Sequence, residues 1–153
     1  MVDKLRQDLK QAQLNGDEIK VSTLRLLLSE IQNNQIKKGP EVQLSDEEII
    51  SIIQREIKVR KEAAEGFRKG GREDSALKEE AEQKVLEVYL PAQLSIGELT
   101  QIVETSINET GATSMQDMGK VIGAVMGKVK GQADGSVVSS IVKQKLTITS
   151  SQT

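Results

Sequence analysis

Along most of the chain apolar residues recur every three or four positions, the repeat of an amphipathic helix. Val2, Leu5, Leu9 and Ala12 predict a first helix over residues 2–14, ended by Asn15-Gly16-Asp17. Asp17 suits the N-cap of a second helix carrying Val21, Leu24, Leu27, Leu28 and Ile31. Lys37-Lys38-Gly39-Pro40 stops it. Ser45-Asp46-Glu47-Glu48 spells a capping box before a third helix with Ile49, Ile53, Ile57, Ala64 and Phe67 on one side. After the polar turn EGFRKGGREDS, Asp74 or Ser75 is the expected cap of a fourth helix through Leu77, Ala81, Val85, Val88 and Tyr89. Leu90-Pro91 closes this half, because proline disfavours helical geometry in the residue before it. A second capping box, Ser95-Ile96-Gly97-Glu98, opens a fifth helix that ends at Gly111. A sixth follows from about Ser114 and a last from about Ser136 to Leu146. The expected fold class is therefore all-α. An N-terminal long-helix domain spans residues 1–90, a small three-helix domain spans 91–148, and residues 149–153 form a frayed tail.

The sixth helix has an unusual pattern. Gly119, Gly123, Gly127 and Gly131 recur once per turn. Each glycine inside a helix costs roughly 0.5–1 kcal/mol relative to alanine. Met118, Val121, Ile122, Val125, Met126 and Val129 supply the apolar face, and Lys120 and Lys128 border the glycines. Two readings fit. The stripe lets a neighbouring helix approach closely, or it lets a sugar-phosphate backbone approach with lysines as phosphate partners. Different turns could serve both.

Composition narrows the chemistry. The chain has no cysteine and no histidine, which excludes disulfides, thiolate catalysis, Cys/His zinc sites and a histidine general base. With one Phe, one Tyr and no Trp, the core is aliphatic and base-stacking platforms are nearly excluded. A formal charge of −2 requires any nucleic-acid contact to use a local basic face. No apolar run is long enough to span a membrane, and MVDKLRQDLKQA lacks the apolar centre of a secretory signal, so a cytoplasmic protein is expected.

Other constellations are weaker. GAVMGK resembles a phosphate-binding loop, but the spacing is short and Val129 stands where Ser or Thr belongs. Ser139, Ser140 and Lys143 lack the glycine-rich loop of a serine-lysine amidase, and Glu79, Glu80 and Glu82 read as surface residues. The basic residues of the third helix, including Arg55, Lys58, Arg60 and Lys61, fit a solvated face paired with Glu56, Glu62 and Glu65. No catalytic residue, metal ligand or cofactor is expected.

Three segments carry a family pattern: STLRLLLSEIQNNQIKKG from Ser22, RKEAAEGFRKGGREDSALKEEAEQKVLEVYLPAQLS from Arg60, and DMGKVIGAVMGKVKGQADGSVVSSIVKQKL from Asp117. They resemble the GatB/YqeY family, and within it the small stand-alone proteins. The resemblance implies an all-helical fold related to the C-terminal helical and tail regions of the B subunit of the tRNA-dependent amidotransferase. In that family the tail engages tRNA, while activation and glutamine hydrolysis belong to other domains or subunits. The implied function is a tRNA-binding or tRNA-associated module that is not a catalyst alone. The candidate nucleic-acid contacts are Lys120, Gly123, Gly127, Lys128, Lys130, Gly131, Lys143 and Lys145. The expected partners are tRNA and an aminoacyl-tRNA amidation or synthetase partner. Two alternatives stay open: glutamine-dependent amidotransferase activity with a catalytic partner, and a protein-interaction module.

Overall fold

The computed structural model describes residues 1–151. It is all-α, with no strand among the described residues, and divides into two compact units, Met1–Leu90 and Pro91–Thr153.

The first unit contains α1 (Val2–Asn15), α2 (Glu18–Lys38), α3 (Asp46–Lys69) and α4 (Glu73–Glu87). At 24 residues, α3 is about 36 Å long at 1.5 Å per residue. Helix α3 packs along α4, and α2 contacts α1, α3 and α4. Leu5, Leu24, Leu27, Ile49, Ile53 and Leu86 are fully buried between them. Each such aliphatic side chain contributes on the order of 1.5–3 kcal/mol through burial. The Ser45 capping box forms: the Ser45 hydroxyl accepts from Glu48 N–H while the Glu48 carboxylate accepts from Ser45 N–H. Asp17 caps α2 by accepting from Lys20 N–H at 3.1 Å. The expected cap of α4 does not form. Arg72 occupies that position without a side-chain cap bond, and the backbone N–H of Arg72 instead closes the turn onto Phe67 O.

The second unit contains α5 (Ile96–Thr110), a 3₁₀ turn (Met115–Asp117), α6 (Met118–Val129) and α7 (Gly135–Ser151). Its three helices contact one another around Leu99, Val103, Val121, Val125, Val129, Val138, Val142 and Leu146. Ser95 repeats the reciprocal cap with Glu98. Two boundaries differ from expectation. Residues 115–117 wind as a 3₁₀ turn, so α6 starts at Met118. The tail expected to fray from residue 149 continues α7 to Ser151, and residues 152–153 lie outside the described residues. Within that stretch the Thr147 hydroxyl donates to Lys143 O and the Thr149 hydroxyl to Lys145 O, each satisfied on the backbone of the preceding turn.

Candidate nucleic-acid interface

The sequence of α6 sorts its residues into two sides. Val121, Val125 and Val129 are buried, with Met118, Ile122 and Met126 packed beside them. Gly119, Gly123 and Gly127 lie on the opposite, exposed side. A Cβ built on any of these three would meet nothing within 4 Å. Close approach of a helix within the fold therefore does not explain the stripe. The helix backbone is open to solvent over two turns, about 12 Å from Gly119 to Gly127.

Lys120 and Lys128 border this open strip and are both exposed. Lys120 Nζ donates to Thr110 O at 3.3 Å, at the C-terminal end of α5, where helix carbonyls lack internal partners. Lys128 pairs with Glu109 at 2.6 Å. Both partners are solvent-accessible, and such pairs contribute only about 0–1 kcal/mol. An incoming phosphate can therefore exchange with them at little cost.

The turn after α6 is built differently. Lys130 is exposed and takes φ 36°, a left-handed conformation for a residue with a Cβ, and Gly131 follows at φ 85°. Gly131 is buried, so it serves the backbone of the turn and does not extend the open strip. Asp134 starts α7, its carboxylate accepting from Ser136 N–H at 2.9 Å. Lys145 pairs with Glu104 of α5 at 2.7 Å, whereas Lys143 is exposed. Two residues apart on a helix, these lysines point about 200° apart, so one face cannot present both. The structure thus groups Lys120, Gly123, Gly127, Lys128 and Lys130 on and just beyond α6, and separates Lys143 from Lys145. The sequence reading missed Glu104 and Glu109 as lysine partners. Their pairing crosses from α5 to other helices, which no intrahelical spacing rule reveals.

No group of His, Cys, Asp or Glu among the described residues is arranged to hold a metal ion. No described helix is long and apolar enough to cross a membrane.

The YqeY-like protein family matches residues 2–146. The chain belongs to that family. Among curated relatives of this YqeY-like chain, "Altered inheritance of mitochondria protein 41, mitochondrial" of Vanderwaltozyma polyspora is 33% identical over 120 residues, covering 74% of this chain and 64% of that protein. The protein of the same name in Eremothecium gossypii is 35% identical, covering 58% of this chain and 48% of its own length. In Saccharomyces cerevisiae (strain YJM789) it is 26% identical, covering 94% and 82%. The matched part of the chain thus spans about half to two-thirds of the first two relatives. The expected cytoplasmic location does not stand, because these relatives are named as mitochondrial proteins. Lack of an apolar centre near the N-terminus bears on secretion; mitochondrial targeting uses amphipathic, Arg-rich segments instead.

Proposed function

We propose that this YqeY-like chain is a tRNA-associated helical module whose RNA contact is the open strip of α6, and that it is not a catalyst alone. One observation carries the reading: three glycines in register expose helix backbone where an added Cβ would meet no neighbouring element within 4 Å, and exposed lysines border them. A phosphodiester backbone can reach such a surface without meeting side chains, and Lys120, Lys128 and Lys130 supply positive charge. The kinship implied by the sequence, to a tRNA-engaging tail, supports the same assignment. With a single Tyr and a single Phe in the whole chain, recognition rests on RNA shape and phosphate geometry and not on base stacking. Glutamine-dependent amidation would fall to a catalytic partner that uses this module to hold the tRNA.

Filter binding of bulk tRNA to the full chain over a salt series tests the proposal. Affinity should fall as salt rises. Lys120→Glu/Lys128→Glu should abolish binding at moderate salt. Glu109→Gln should tighten it several-fold, because it releases Lys128 and removes a like charge from the path of the phosphates. Parent-like binding by the double lysine variant rules out this face. Ammonia release from glutamine by the purified chain alone rules out the non-catalytic assignment.

A further inference from the structure

The junction YLPAQLS carries part of the family resemblance and contains the boundary between the two units. Tyr89 belongs to the first unit, where its hydroxyl donates to the Asp8 carboxylate at 2.5 Å. Leu90 N–H still bonds Glu87 O. Three residues later the chain is committed to the second unit. Gln93 Nε2 donates to Gly131 O at 3.0 Å and to Pro91 O at 2.8 Å, and Leu94 N–H donates to Gln132 O at 2.9 Å. Of these acceptors, the Gly131 and Gln132 carbonyls are consecutive and follow directly on Lys130.

These bonds fall where the turn needs them. Gly131 and Gln132 lie beyond Val129, the last residue of α6, so the bonds inside that helix do not reach their carbonyls. Lys130 holds a backbone conformation that costs a non-glycine residue of its own accord, and such a conformation persists only where surrounding bonds fix it. Within the turn, Lys130 N–H reaches Met126 O at 3.3 Å and Gln132 N–H reaches Val129 O at 2.8 Å. The donors of Gln93 and Leu94 come from outside the turn and hold its far side.

We infer that Gln93 is a positioning residue of the RNA-binding surface: with Leu94 it braces the turn that presents Lys130, so the segment entering the second unit is part of the site's framework. This inference rests on the RNA reading of α6. Gln93 itself is exposed and touches the turn through its amide, so its side chain can be changed without disturbing a core.

The test uses the full chain with Gln93→Met, which keeps length and neutrality and removes the donor, beside Lys130→Ala. Amide hydrogen exchange at Leu94 reads the brace, and filter binding of bulk tRNA at several salt concentrations reads the site. Gln93→Met should speed Leu94 exchange about tenfold and weaken tRNA binding about three- to tenfold. Its salt dependence should stay at the parent slope, because no phosphate contact is lost. Lys130→Ala should instead lower that slope by about one. Faster exchange with parent-like tRNA affinity overturns the positioning role. Unchanged exchange overturns the brace. A parent chain that does not bind tRNA at low salt overturns the RNA reading and this inference with it, and the exchange data then still report whether the brace exists.

Discussion

The double substitution Gly123→Ala/Gly127→Ala separates the two explanations of the glycine stripe. Both residues lie inside α6, and an added Cβ at either has no neighbour within 4 Å. No steric cost therefore opposes the change. What remains is helix propensity, in which alanine exceeds glycine by about 0.8–1 kcal/mol per interior site. Gly127 stands in the last turn of the helix and should give less, so the expected gain is about 1.5 kcal/mol. In a unit of this size that corresponds to a rise in Tm of roughly 6–12 °C. Thermal melts followed by amide NMR signals of Val125 and Val142, two buried residues of the second core, isolate that unit from the first. A Tm unchanged or lowered would show that something already fills the strip, and the reasoning from open space would be wrong. The same variant then reads function. Methyl groups at these two positions stand where a phosphate chain would approach, so tRNA affinity should fall several-fold while stability rises. A stabilised variant that binds tRNA like the parent removes the RNA from the stripe.

Further outcomes follow from other particular residues. Lys130→Gly should stabilise the second unit by about 1 kcal/mol, by relieving a left-handed non-glycine residue, and should weaken tRNA binding; denaturant melts and filter binding read the two effects. Arg60 is 5% exposed and ties Glu56 at 2.7 Å and the buried Glu82 at 3.4 Å, so Arg60→Ala should cost about 3–5 kcal/mol by leaving Glu82 unpaired. The double variant Arg60→Met/Glu82→Met should recover most of that loss in urea titrations, and failure to recover would refute the unpaired-charge explanation. Tyr89→Phe removes the hydroxyl that, with Lys4 adding its charge, holds the Asp8 carboxyl below the usual carboxylate range. A depressed carboxyl stabilises the fold above its unfolded pKa of about 3.9 and ceases to as pH falls through the lower folded value. The variant should therefore lose about 1–2 kcal/mol at pH 7 and less at pH 3, measured by urea titration at both.

Local signals were readable wherever a residue acts on its own neighbours in sequence. Both capping boxes could be placed to the residue because Ser45 with Glu48 and Ser95 with Glu98 close within one turn. The aliphatic cores were readable from periodicity, since Leu24 and Leu27 or Val121 and Val125 must share a side of their helix. The start of α4 was not. Asp74 and Ser75 both suit a cap by type, but the bond from Arg72 N–H to Phe67 O sets the turn earlier. The start of α6 failed for a related reason: Asp117 spends its carboxylate on Thr113 N–H, which holds the 3₁₀ turn that delays the helix.

The site was half legible, and the half that was not depends on which side of a helix faces empty space. Spacing alone put four glycines in one stripe, of which Gly131 falls in the buried turn beyond α6, and a crowded and an open stripe have the same sequence. Only the absence of atoms within 4 Å of an added Cβ decides between them. Charge behaved likewise. From Pro91 onward the chain has five lysines and five carboxylates, a neutral count that argues against polyanion binding. In sequence order, however, Glu98, Glu104 and Glu109 all belong to α5, and all five lysines fall later, from Lys120 to Lys145. Folding brings Glu109 to Lys128 and Glu104 to Lys145, which quiets two of those lysines at the edges of α5. The open face of α6 is then flanked by few charges. RNA bound there would meet about two to three phosphates' worth of positive charge, so the salt dependence should be shallow, about two to three in log–log slope. A slope near ten would demand cations that this face does not possess and would locate the RNA elsewhere on the chain.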